Sequence, residues 1–182
     1  MKSIFPYDKF EPGDIICCNG RGIFSGLTRF ITSGPGHFFD RSICTHVGIL
    51  FEIGDQLLVA EMTKNGIAVN SLEIKYRRWN EHVLCVRRPI VRDHCAYIVD
   101  MRNKIGLAIR RGLEYDFRGL VEFICSRVKD NKTRMYCSEL VLDLTADHVL
   151  LEYPASLEIK ILPEDIHTCM QCDTIWINKT RG

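Results

Sequence analysis

Residues 45–62 constrain the fold of this 182-residue chain more than any other stretch. THVGILF, residues 45–51, is rich in β-branched and aromatic side chains and alternates, so His46, Gly48 and Leu50 share one face of a strand while Val47, Ile49 and Phe51 share the other. Gly54-Asp55 marks a tight turn, and residues 56–62 return as a second strand. Two such strands require an antiparallel sheet. With Ile53 and Gly54 as a two-residue loop, Phe51 faces Gln56 and His46 falls directly opposite Glu61. Turn register decides the pairing, because a slip of one residue would carry the carboxylate to the other face.

Residues 14–18, after Pro12-Gly13, read as a short buried strand, and the glycines at 20, 22 and 26 turn the chain into an amphipathic segment over 23–31. These glycines are not a dinucleotide fingerprint, since Ser25 stands where GxGxxG needs glycine, and no GxxxxGK[ST] occurs. Residues 33–42 form a glycine- and proline-rich loop carrying His37, Phe38 and Phe39. Further strands are expected over 66–70 and 82–87, extending the hairpin into an antiparallel meander. Residues 91–112 read as a long helix with Ile98, Met101, Ile105, Ala108 and Ile109 on its apolar face and Gly112 as its stop. A second helical pattern covers 120–128, a polar loop 129–133, a helical turn 164–170 and a last strand 174–178. The length and the balance of 46% hydrophobic and 26% charged residues suit one α+β domain over 1–182.

Charge and hydropathy exclude several classes of partner. A net charge of +1 gives no field for nucleic acid or an anionic membrane. The N-terminal residues hold no apolar signal core and no run is long enough to cross a bilayer, so a cytoplasmic location is expected. Nine cysteines, odd in number and scattered, fit reduced thiols better than disulfides.

One of those thiols opens a strongly patterned helix. In RMYCSELVLDL, residues 134–144, Cys137, Leu140, Val141 and Leu144 recur on one helical face, with Glu139 and Asp143 elsewhere. A cysteine in a first helical turn lies among unpaired backbone N–H groups at the positive end of the helix dipole, and both favour thiolate. The same residue also suits a small buried core position. A cysteine hydrolase needs a thiolate, an imidazole that takes and returns the proton, a group that fixes the imidazole, and donors for the oxyanion. Cys137, His46, Glu61 and the Cys137 backbone N–H supply that set.

At these residues the chain resembles a known family. GDII, THVGI, the AE of VAEMTKNGI, GLEYD and YCSELV, in that order, resemble the circularly permuted branch of the NlpC/P60 superfamily of papain-like cysteine hydrolases, which includes YiiX-like bacterial proteins and a poxvirus protein. In unpermuted members the cysteine motif precedes the histidine strand; here the histidine comes first. The resemblance implies a permuted papain-like fold with Cys137 as nucleophile, His46 as base and Glu61 as the third polar residue. It also implies that Tyr115 helps to hold the oxyanion, with Tyr136 a second candidate donor. The link from Tyr115 to Cys137 is longer than in the family, a departure that bears on the tyrosine's role. YCSEL differs from the NCEHF of the related lecithin:retinol acyltransferase-like proteins, so acyl transfer between lipids is less favoured. A lipid ester or thioester remains the second enzymatic reading, with Phe38, Phe39 and residues 23–31 as an acyl groove, and a non-catalytic binding protein the third.

The other histidines and cysteines carry weaker signals. His94 and Cys95 are neighbours on a helix and diverge by a quarter-turn or more. His167, Cys169 and Cys172 place three soft ligands close together, one short of a structural zinc site unless His148 joins them, and no metal or other cofactor is expected. Cys17, Cys18, Cys44, Cys85 and Cys125 sit in apolar contexts and read as core.

Overall fold

The hairpin expected over 45–62 forms the middle of a six-stranded antiparallel sheet in a computed structural model, which describes residues 6–20, 25–26, 28–29, 36, 40, 42–73, 83–115, 134–148, 163–168 and 172–177. In chain order the elements are β1 (Ile15–Cys18), β2 (His46–Ile53), β3 (Gln56–Thr63), β4 (Gly66–Ser71), β5 (Val83–Pro89), α1 (His94–Arg111), β6 (Glu114–Tyr115), β7 (Arg134–Met135), α2 (Cys137–Thr145), α3 (Pro163–Thr168) and β8 (Cys172–Ile177). The helical pattern over 120–128, the loop 129–133, His37, Phe38, Phe39, His82, Cys125 and Cys169 lie outside the described residues, as does most of 23–31.

Strand order in the sheet is β4-β3-β2-β1-β5-β8. The expected meander therefore covers only β2, β3 and β4, and β5 joins β1 instead of β4. Burial explains the change. IICC of β1 is buried at all four positions and VLCV of β5 at its first four, so both need covered faces and partners on each side. GIAVNS of β4 is buried only at Gly66 and serves as an edge.

Alternation along these strands builds two cores. Ile15, Cys17, Val47, Ile49, Phe51, Ala60, Met62 and Cys85 pack against Tyr97, Met101 and Ile105 of α1 and Cys137, Leu140, Val141 and Leu144 of α2. Ile16, Cys18, Leu50, Val59, Val83 and Val86 fill the opposite face with Phe10 and Leu72. Each fully buried aliphatic side chain contributes about 1.5–3 kcal/mol by leaving water.

Helix α1 starts at His94 because the Asp93 carboxylate accepts the Ala96 N–H at 3.0 Å, and it stops at Gly112, left-handed at φ 61°. Ile109, expected on its apolar face, is instead exposed at 48%. Ahead of β1, Gly13 takes φ 93°, and any Cβ there would run into the Tyr97 ring, whose hydroxyl donates to the Gly13 carbonyl at 3.0 Å. The neighbouring Asp14, buried at 1% exposure, accepts from Arg88 Nε at 2.7 Å and from the Glu11 N–H at 2.9 Å. Among the described residues no helix is long and apolar enough to cross a membrane.

Candidate active site

The turn between β2 and β3 is Gly54-Asp55, with Ile53 paired to Gln56, and this moves the register by two residues from the expected one. Glu61 faces Gly48 rather than His46. Because the shift is even, both side chains keep the same face of the sheet, and they meet on the diagonal. His46 Nε2 lies 2.7 Å from Glu61 Oε2. An ionised carboxylate can only accept, so Nε2 carries the proton in this bond and Nδ1 is left for another partner.

Gly48 makes the diagonal possible. A Cβ at that position would stand 2.8 Å from Val59 Cγ1, 3.1 Å from the Ala60 carbonyl oxygen and 3.4 Å from Glu61 Cβ. On the far side, Asn70 of β4 donates from Nδ2 to Glu61 Oε1 at 3.2 Å. Glu61 is only 5% exposed, and a buried carboxylate is tolerable when such donors reach it. Neither Gly48 nor Asn70 was placed in the site from sequence. The usable signal for Asn70 is a polar side chain at the β4 position diagonal to Glu61 on the same face.

Helix α2 begins where a carboxylate closes its first turn: the Tyr136 N–H donates to Glu139 Oε2 at 2.8 Å, and Tyr136 itself is extended. Cys137, Leu140, Val141 and Leu144 are all buried, as their spacing requires. His46 opens β2 and Cys137 opens α2, so ring and thiol meet at the ends of their elements. Burial acts to raise the Cys137 thiol, but the positive charge and hydrogen bond of His46, with the Val47 and Ser138 backbone N–H groups, outweigh it and hold the thiol below its usual range. Sulfur, imidazole, carboxylate and carboxamide thus form a connected chain through Cys137, His46, Glu61 and Asn70.

The two tyrosines are placed differently. The Tyr115 backbone pairs with Met135, two residues before Cys137, in the short parallel ladder of β6 and β7. Tyr136 is buried at the N-cap of α2. Among the described residues, the soft ligands near the C-terminus are not gathered as a metal site would need. His167 bonds Glu164 at 3.2 Å and turns to Cys85, whereas Cys172 pairs with Pro89, four residues further along β5. His148 bonds Asp100 Oδ2 at 3.2 Å. Among the described residues no group of three or more His, Cys, Asp or Glu is arranged to hold a metal ion. Cys95 is exposed, and Cys17, Cys18, Cys44 and Cys85 are buried.

No protein-family model and no curated protein matches the chain. Among solved structures it is similar to the metalloprotein yiiX of Escherichia coli O157:H7, a DUF1105 protein, with a TM-score of 0.65 and 16% identity over 93% of this chain and 98% of that one. At that identity the likeness is one of fold.

Proposed function

We propose that this chain is a cysteine hydrolase of the amidase or peptidase type, working as one domain on a circularly permuted papain-like fold of the NlpC/P60 superfamily. The observation that carries the reading is the unbroken chain of contacts from the Cys137 thiol through His46 to Glu61 and Asn70. The yiiX-like fold and the order of histidine strand before cysteine helix support it. The fold neighbour is a metalloprotein, whereas among the described residues here no group of three or more His, Cys, Asp or Glu is arranged to hold a metal ion.

In this reading the Cys137 thiolate attacks a carbonyl carbon, and the Cys137 backbone N–H, at the N-terminus of α2, meets the developing oxyanion. His46 Nδ1 gives its proton to the leaving amine while Glu61 keeps the ring oriented. Water, deprotonated by His46, then resolves the thioester. Tyr115 and Tyr136 are proposed to position the substrate carbonyl. The test is to incubate the chain with panels of peptide, amide and acyl-ester substrates and to trap an acyl group on Cys137 by mass spectrometry. A thioester on Cys137 from amides, lost in Cys137→Ala, is expected. Turnover that survives Cys137→Ala overturns the reading, and acylation by lipid esters alone replaces its substrate class.

A further inference from the structure

A second thiol cluster lies in the same core, on other elements. Cys17 of β1 and Cys85 of β5 are direct cross-strand partners, and both face the helices. Cys44, wholly buried, interacts with Cys17 through its thiol, and its N–H donates to Glu164 Oε2 at 2.6 Å. Helix α3 carries Glu164 and His167, whose Oε1 and Nδ1 lie 3.2 Å apart, and the His167 ring hydrogen-bonds the Cys85 thiol. Sulfur, imidazole and carboxylate therefore stand in sequence a second time, as Cys85, His167 and Glu164. An inert core cysteine has no need of a partly exposed ion pair over it.

We propose that Cys85 is a peroxide-reactive thiol and Cys17 its resolving partner, so that β1 and β5 carry a reversible disulfide site assembled by His167 and Glu164. Directly opposed residues of an antiparallel pair have Cα atoms about 4.5–5.5 Å apart, inside the span a disulfide bridges. Hydrogen bonds that it donates to Cys85 and then to Glu164 raise His167 to about 10, and the Cys17 hydrogen bond, against burial and with help from His167, brings Cys85 down to about 6. Hydrogen bonds to Cys44 and Cys85, together with burial, push Cys17 well up, so it remains the proton-bearing thiol.

The chemistry balances with hydrogen peroxide as the oxidant. The Cys85 thiolate attacks one peroxide oxygen, the O–O bond breaks, and the departing hydroxide takes the His167 proton and leaves as water. Cys85 is then a sulfenic acid. Cys17 attacks that sulfur, its proton joins the released hydroxide, and a second water leaves as the disulfide forms. Two thiols are oxidised and one peroxide is reduced to two waters.

The full chain bearing Cys137→Ser, which removes the candidate nucleophile from the readout, is treated with hydrogen peroxide, blocked with iodoacetamide and mapped by mass spectrometry. A linked pair of peptides containing Cys17 and Cys85, lighter by two hydrogens and restored by dithiothreitol, is the expected product. Glu164→Gln should slow its formation by about tenfold, the rate following thiolate fraction. In Cys17→Ser, Cys85 should accumulate as a sulfenic acid captured by dimedone, a readout that a packing role alone would not give. Oxidation confined to exposed Cys95, or a disulfide joining Cys17 to Cys44 with Cys85 untouched, overturns the assignment. Circular dichroism of each variant separates loss of reactivity from loss of fold, and the Cys137→Ser parent, with the whole cluster intact, decides the matter if a variant fails to fold.

Discussion

His46 and Glu61 are bonded at 2.7 Å although they are not register partners, because Gly48 stands opposite Glu61 and leaves the diagonal open. In the proposed mechanism the carboxylate does two things there: it holds the ring by Nε2, which leaves Nδ1 for the thiol, and its charge stabilises an imidazolium. Glu61→Gln keeps the shape and removes the charge. Turnover is expected to fall by about 10²–10⁴-fold, mostly in kcat, by analogy with the orienting acid of other triads. Asn70→Ala removes one neutral donor and should cost roughly 1 kcal/mol of stability, measured by urea unfolding. A Glu61→Gln variant with wild-type kcat would remove Glu61 from the proposed mechanism.

The state of Cys137 is readable without a substrate. Its thiol is held below the ordinary 9.0 by His46 and two backbone N–H groups against burial. Iodoacetamide alkylation of Cys137 should therefore reach its plateau at lower pH than a free thiol. His46→Ala removes the largest of the opposing influences and leaves the burial, so the midpoint should rise. Stability follows the same sign: a folded midpoint below the unfolded one means that this group's contribution is present above 9.0 and is lost as pH falls through the folded value. Reading the midpoint, not the rate, separates activation from access. A Cys137 midpoint at or above 9.0 in the unsubstituted chain would contradict the electrostatics.

Period carried most of the strand and helix reading, and pairing did not follow from it. The alternation of THVGILF and the one-faced spacing of Cys137, Leu140, Val141 and Leu144 placed β2 and α2 within a residue or two, because burial sets both periods. The hairpin loop lies one residue further along than its sequence suggests, which moves the register by two, and the His46–Glu61 contact survives because an even slip preserves faces. Partner choice between β5 and β1 depends on long-range packing of two short apolar runs, which no local window contains. The same holds for the Cys17–Cys85 pair: an apolar context marks both as core, and only the sheet order sets one against the other.

Two glycines should respond oppositely to alanine. At Gly48 a Cβ would sit 2.8 Å from Val59 Cγ1 and 3.1 Å from the Ala60 carbonyl oxygen, in the middle of the sheet. Gly48→Ala is expected to lose about 1–3 kcal/mol and to displace Glu61, lowering Cys137 reactivity with it. At Gly106, inside α1, a Cβ meets nothing within 4 Å. Gly106→Ala should gain about 0.5–1 kcal/mol from helix propensity alone. Urea midpoints decide both, and a harmless Gly48→Ala would mean that the site has more room than its contacts allow.

Arg88 is the main counter-charge for a carboxylate that cannot reach water. It grips Asp14 through Nε at 2.7 Å and Nη2 at 3.0 Å, joining the start of β1 to the end of β5. Arg88→Met leaves Asp14 buried without its cation, which should cost about 3–5 kcal/mol at neutral pH. Adding Asp14→Asn removes the stranded charge and should recover part of that loss. Burial already raises Asp14 above 3.8 despite Arg88, so the folded chain binds a proton in a window where the unfolded chain has released it. Across that window this group makes folding more favourable as pH falls. Without Arg88 the window widens upward, so the deficit of Arg88→Met relative to wild type should shrink in mildly acidic buffer. Urea unfolding of both proteins at neutral and mildly acidic pH measures this, and a deficit that is the same at both would show that Arg88 acts through packing and not through the Asp14 charge.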